Sequence, residues 1–232
     1  SWSPDACEIA SGGRDECIKV WDVKALKETR TLVGHGRSID SCAWSPDGRR
    51  IVSASRDGSL KIWDPKSGRE LSTLKGHKGW VRFCAWSPDG KQIASAGGDT
   101  TLRIWNVQTA EEIQVLNGHH RSVESCCWSP DAGRVISASM DDMVKIWDAR
   151  EGVEILSFLC SGYALSCAIS GSGQTICCGD EGGSLYSLEA EGIALTQAPV
   201  YTTAVHLSSV GNNNHTRSVA DSPNALCPHC GQ

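Results

Sequence analysis

His35, His77 and His119 stand 42 residues apart. Trp21, Trp63, Trp105 and Trp147 keep the same spacing, and so do Trp2, Trp44, Trp86 and Trp128, each at the head of a Trp-Ser-Pro-Asp segment. Eight of the nine tryptophans fall on these two ladders. Each unit opens on Gly-His and closes on Trp followed by Asp or Asn, as in Gly34-His35 to Trp63-Asp64. A fixed period of this length limits the chain to architectures in which one supersecondary unit is stacked on copies of itself.

Residues 39–64 show what the unit is. Ile39, Ser41 and Ala43 alternate with Asp40, Cys42 and Trp44, which is strand patterning. Ser45-Pro46-Asp47-Gly48 comes next as a turn. Ile51 to Ser55 is a short β-rich run, Asp57-Gly58 is a hairpin signal, and Leu60 and Ile62 alternate with Lys61 and Trp63. Another turn leads to a last short strand before Gly76-His77. No segment carries a sustained helical period. A lone meander leaves an apolar face uncovered, and radial stacking of copies covers it, so the expected fold is all-β, a β-propeller of four-stranded antiparallel blades.

The residues Gly34-His35, Ser45-Pro46-Asp47-Gly48, Asp57 and Trp63-Asp64, repeated at one spacing, resemble the WD-repeat family. The resemblance is strong over residues 1–148 and continues weakly to 189. It implies a partial blade at 1–34, full blades at 35–76, 77–118 and 119–160, and a degenerate blade at 161–189, together an open arc. It also implies a buried hydrogen-bonded chain in each full blade. The sets are His35, Ser53, Asp57 and Trp63; His77, Ser95, Asp99 and Trp105; and His119, Ser137, Asp141 and Trp147. The first blade offers Ser11, Asp15 and Trp21 without a His. His, Asp and Ser are the residue types of a hydrolase triad, but a catalytic trio at three equally spaced places is implausible, and the expected role is structural.

The resemblance makes a non-catalytic protein–protein interaction scaffold the leading functional expectation. A second comes from its likeness to the C-terminal WD-repeat arrays of NACHT- or apoptosome-type nucleotide switch proteins: a ligand-sensing array that holds a larger signalling ATPase off. No P-loop stands in these 232 residues. The positions before the turn Asp vary (Arg14, Arg56, Gly98, Met140), as do Arg37, Gly79 and Arg121 and their neighbours Ser38, Trp80 and Ser122. In the family these positions lie at the blade tops. Trp80 is the tryptophan off both ladders, and an exposed Trp among arginines has the composition of a binding hot spot. The expected protein-binding residues are therefore Trp80, Arg14, Arg37, Arg56, Arg121 and Met140.

Composition narrows the partners. The net charge of −5 argues against nucleic acid, and no apolar run has the length of a membrane span. The start of the chain lacks the pattern of a signal peptide and opens inside a repeat, so it is expected to be a piece of something longer. Of twelve cysteines, Cys42, Cys84 and Cys126 recur at one position of successive repeats, in apolar stretches. They read as small buried hydrophobes, which suits a cytoplasmic protein. Other proteins are the expected partners, with no nucleic acid and no membrane, and the sequence sets no oligomeric state.

The pattern fails twice. Where a fifth Gly-His is due the chain reads Cys160-Ser161; Ile169 replaces the first Trp, Cys178 the Ser, and Leu188-Glu189 the Trp-Asp. A blade held by apolar packing alone is expected there, with Asp180 and Glu181 contributing little. Beyond residue 189 an Asn/Ser-rich stretch reads as a disordered tail ending in Cys227-Pro-His-Cys230. That knuckle resembles half of a zinc ribbon, which would need a second pair of ligands; an inert or redox role are the alternatives. No other cofactor is expected.

Overall fold

The computed structural model describes residues 1–189, which form eighteen strands in five antiparallel sheets. The first sheet holds β1 (Glu8–Gly12), β2 (Cys17–Asp22) and β3 (Lys27–Val33). The second holds β4 (Ile39–Trp44), β5 (Ile51–Ser55), β6 (Ser59–Trp63) and β7 (Glu70–Lys75). The third holds β8 (Val81–Trp86), β9 (Gln92–Gly97), β10 (Leu102–Asn106) and β11 (Glu112–Leu116). The fourth holds β12 (Val123–Trp128), β13 (Arg134–Ser139), β14 (Met143–Asp148) and β15 (Glu154–Leu159). The fifth holds β16 (Ala164–Ile169), β17 (Thr175–Asp180) and β18 (Leu185–Glu189). Each sheet is a meander in chain order, and we call the five sheets blades 1 to 5.

The strands form because of their alternation, and the turns because of their chemistry. In the Ser-Pro-Asp turns the Asp47 carboxylate accepts the Ser45 hydroxyl at 2.6 Å and the Arg49 N–H at 3.0 Å, and Asp89 does the same with Ser87 and Lys91. Gly48 and Gly90 take the left-handed conformation that ends the turn (φ 67° and 69°). Ahead of β1, Trp2 bridges Ile9, and the Ser1 carbonyl accepts from the Ala10 N–H at 2.8 Å. Among the described residues no pairing joins blade 1 to blade 5, so the arc is open.

The inner strands β4, β8, β12 and β16 run side by side, and the blades stack through apolar seams. At the seam between blades 2 and 3, Val52, Ala54, Leu60, Ile62 and Leu74 meet Val81, Cys84, Trp86, Ile93 and Trp105. Burying this much apolar area supplies the main favourable term of folding. The tryptophan face of each blade thus packs on the aliphatic face of the blade before it. Blade 1 has no described blade on its tryptophan face, and Trp2 is 57% exposed while Trp44, Trp86 and Trp128 are buried.

Hydrogen bonds also cross the seams. The Trp86 indole N–H donates to the Ala43 carbonyl at 3.0 Å, and Trp128 to the Ala85 carbonyl at 3.2 Å. The buried Trp44 indole N–H finds no acceptor among the described residues. Replacing Trp86 by Phe removes both ring area and a satisfied bond, whereas the same change at Trp44 also removes an orphan donor. Urea melts of Trp86→Phe are expected to show a loss larger than for Trp44→Phe by about 1 kcal/mol; equal losses would mean that the inter-blade bond contributes nothing.

Candidate functional site

Three full blades carry the same buried chain of polar groups. In blade 2 the Trp63 indole N–H donates to the Ser53 hydroxyl at 2.8 Å, His35 Nε2 lies 2.7 Å from the same oxygen, and His35 Nδ1 lies 2.7 Å from Asp57. Blade 3 repeats this with Trp105–Ser95 at 2.9 Å, Ser95–His77 at 2.7 Å and His77–Asp99 at 2.9 Å. In blade 4, Trp147–Ser137, Ser137–His119 and His119–Asp141 are each 2.8 Å. The donor directions follow from chemistry. A carboxylate only accepts, so the imidazole Nδ1 carries the hydrogen. Nε2 of the neutral ring then accepts from serine, whose oxygen accepts from the indole.

Electrostatics keep this assignment. Burial pushes His35 and His119 below the ordinary histidine value and outweighs the pull of Asp57 and Asp141 in the other direction. Burial also pushes the Asp57 carboxyl up, but the hydrogen bonds from Ser59 and His35 and the Gly36 N–H outweigh it and hold the group at about 2. Neutral imidazole beside carboxylate is therefore the folded-state pairing at neutral pH.

Asp, His and Ser thus lie in the order of a hydrolase triad, and the rest of the geometry removes the chemistry. Ser53, Ser95 and Ser137 are 0% exposed, and an indole N–H occupies each hydroxyl oxygen. No substrate carbonyl can reach these hydroxyls. The arrangement secures a fold and leaves the surface to carry function.

The surface feature is at the blade tops. Trp80 is 42% exposed, and two guanidinium groups lie over its ring, Arg56 at 4.9 Å and Arg82 at 5.0 Å. Arg56 Nε donates to Asp40 at 2.9 Å. Arg82, on the inner strand β8, bridges Asp40 of blade 2 at 3.3 Å and Glu124 of blade 4 at 3.5 Å. Three successive inner strands therefore present a ladder of alternating charge, Asp40, Arg82, Glu124.

Arg121 is not part of the Trp80 cluster. Its guanidinium stacks 5.5 Å from the Tyr163 ring and donates to the Tyr163 hydroxyl at 3.0 Å. Arg14 and Arg37 are exposed, and neither forms an ion pair with a described residue. Met140 is half-buried. Reading the sequence alone misses Arg82, Asp40 and Tyr163. The first two were visible as one column of the repeat reading Asp, Arg, Glu. Tyr163 occupies the position of Trp80, because its carbonyl accepts from Glu181 N–H as that of Trp80 accepts from Gly98 N–H. A one-residue shortening of the loop after Ser161 hides that match from a fixed period.

Blade 5 corrects one expectation outright. It is not held by apolar packing alone. Asp180 accepts the Ser161 and Tyr186 hydroxyls, both at 2.8 Å, and Ser161 and Tyr186 are 2.6 Å apart. The Ser184 N–H and the Tyr186 hydroxyl hold the Asp180 carboxyl at about 2. Strand register places Gly182, not Asp180, at the site of the turn Asp. Asp180, Ser161 and Tyr186 instead form a cluster of their own. Cys227 and Cys230 lie outside the described residues; within those residues no three His, Cys, Asp or Glu side chains are placed to hold a metal ion.

Two measurements test the buried chain. Asp57→Ala strands His35 and Ser53 and is expected to cost about 1–3 kcal/mol in urea melts. Asp15→Ala in blade 1, at an exposed carboxylate 3.4 Å from Lys19, is expected to cost well under 1 kcal/mol. The second is pH. The folded values of His35 and His119 lie below the unfolded one, so their contribution is fully present above a pH of about 6.5 and is lost as the pH falls from there through the folded values. The urea midpoint is expected to drop between about pH 7 and 5, before the carboxylates titrate; a flat profile there would show that folding leaves the histidine values unchanged, and a rise that the histidines are charged in the fold.

Comparison with known families agrees with this geometry. A family model described as the IFT122 first beta-propeller matches residues 38–206, and the model described as WD domain, G-beta repeat matches residues 1–22. Comparison with curated proteins returned no match. WD-repeat propellers generally bind other proteins, are generally non-catalytic and do not usually need a cofactor. With the buried chain complete in blades 2, 3 and 4 and the propeller model spanning most of the sequence, the chain belongs to the WD-repeat β-propeller family.

Proposed function

We propose that this chain is a non-catalytic protein-interaction module whose contact surface is the face carrying Trp80. The observation that supports this most directly is the pairing of a 42% exposed indole with two guanidinium groups. The corresponding position is Ser38 in blade 2 and Ser122 in blade 4, so blade architecture does not demand an aromatic there. An indole left at a protein surface is a typical binding anchor. Arg56 commits its Nε to Asp40, and Arg14 and Arg37 add cations on blade tops that no described carboxylate pairs. This chemistry fits a partner segment that sets an apolar side chain beside carboxylates.

Binding of wild type and Trp80→Ser to a panel of acidic peptides, with melts alongside, tests the reading. The mutant is expected to keep its melting temperature and lose at least tenfold in affinity, about 1.4 kcal/mol. Wild-type binding is expected to weaken as salt rises, since the arginine contacts are exposed. A mutant that unfolds early and binds normally would make Trp80 a packing residue and place the contact surface elsewhere.

A further inference from the structure

The seam between blades 4 and 5 differs from the others in one atom type. At each seam, the repeat cysteine of one inner strand faces the preceding blade: Cys42, Cys84, Cys126 and Cys167. One position of the preceding inner strand that packs against this cluster is Ala43 in blade 2 and Ala85 in blade 3. At the last seam it is Cys127, and the Cys127 and Cys167 sulfurs are 4.0 Å apart. Both thiols are free. Cys127 is half-buried and is the more reachable of the two; Cys167 is buried, with its sulfur near the Ser125 hydroxyl at 3.8 Å and the Ile136 carbonyl at 3.6 Å.

We infer that Cys127 and Cys167 form a reversible modification site, a dithiol that a low-molecular-weight disulfide such as oxidised glutathione closes into a cystine joining blades 4 and 5. The exchange balances without any other reagent. The Cys127 thiolate attacks one sulfur of oxidised glutathione, breaks its S–S bond and releases one glutathione as the thiol. The Cys167 sulfur then attacks the Cys127 sulfur of the mixed disulfide. The Cys127–glutathione bond breaks, and the departing glutathione thiolate takes the Cys167 proton. Two protein thiols are oxidised and one glutathione disulfide is reduced to two thiols. The protein sulfurs must close from 4.0 Å to a bond length of about 2 Å.

The site has a structural consequence. Blade 5 lacks the Trp–Ser–His–Asp chain of its neighbours, and a covalent tie through its inner strand would fasten it to blade 4 in an oxidising environment. The competing thiols in the same seam are Cys160 and Cys178, both buried. Cys178 stands directly opposite Cys167 on the neighbouring strand. The low exposure of Cys160 and Cys178 leaves Cys127 as the entry point for the reagent.

The test uses the full chain carrying Cys7→Ser, Cys227→Ser and Cys230→Ser, so that the exposed Cys7 and the tail thiols do not compete. After equilibration with oxidised glutathione, wild type in this background is expected to lose two hydrogens in intact mass. Mapping is expected to give a 127–167 cross-linked peptide that reduction removes. Cys127→Ala, which installs the residue of the other seams, and Cys167→Ala are each expected to abolish the cross-link. Hydrogen exchange over β16–β18 is expected to slow at least tenfold on oxidation of wild type and to stay unchanged in Cys127→Ala. A persistent glutathione adduct at Cys127 without the cross-link overturns the inference. So does a cross-link that joins Cys160 to Cys178, or one that survives in Cys127→Ala.

Discussion

The structure depends on a buried serine hydroxyl that is used in both directions. Ser53, Ser95 and Ser137 each accept from an indole and donate to an imidazole, in sites sealed from solvent. Such a group is stable inside a fold only when both bonds are made. That requirement fixes where the tryptophan ring lies, and the ring fixes its neighbours. A Cβ built on Gly34, Gly76 or Gly118 would stand 3.0, 2.9 or 3.1 Å from the Cη2 of the same blade's tryptophan. The tryptophan therefore favours the glycine, and the histidine after it is the serine's partner. Gly-His at one end of a unit and Trp at the other are two ends of one contact. A cation–carboxylate pair closes over the outer side: Lys61 with Glu70 and Lys145 with Glu154, both at 2.6 Å, and Arg103 with Glu112.

Loss of the tryptophan in blade 5 changes the residues around it. Leu188 takes its place and is smaller, so the glycine is no longer required, and Cys160 fits where Gly76 and Gly118 stand in the other blades. Cys178 replaces the serine, since there is no indole for a hydroxyl to receive. Ser161 stands in place of histidine and turns to Asp180. Tyr186 stands where Lys61, Arg103 and Lys145 stand elsewhere, and it too reaches Asp180. One substitution at the centre thus accounts for changes at four positions, and the polar groups regroup around a carboxylate in a different place.

This is also why the fold was legible in the sequence and the surface was only partly so. Packing repeats, so the tryptophan, histidine, serine and aspartate ladders expose blade boundaries and the membership of the buried chain. Trp80 was legible as the tryptophan that packing does not explain. Its true neighbours were not. Arg82 sits in a strand, where alternation assigns it only to a face, and its two bridges depend on how closely adjacent blades approach. The rim expected around Trp80 included Arg121, which the one-residue shortening in blade 5 leaves free to meet Tyr163 instead. The Asp180 cluster was hidden because its members stand in columns that hold serine, histidine and lysine elsewhere.

The two levels of the molecule meet on the inner strands. There, a register break near the start of each strand, at Ile39/Ser41, Val81/Phe83 and Val123/Ser125, takes one residue out of the alternation, so one strand serves both stability and recognition. On β8, Cys84 fills the seam to blade 2, while Arg82 ties blade 2 to blade 4 and stacks on Trp80. The charge ladder Asp40, Arg82, Glu124 ends at Leu165, which takes the same strand position in blade 5 and is exposed. Without a charge there, the last seam has a different set of ties: the Arg121–Tyr163 stack above and the Cys127–Cys167 contact below. The guanidinium of Arg121 thus spends its charge on a neutral hydroxyl, where Arg82 meets two carboxylates. Blades 2, 3 and 4 each keep the buried chain beneath this surface, so the strands that carry Asp40, Arg82 and Glu124 belong to blades pinned from within.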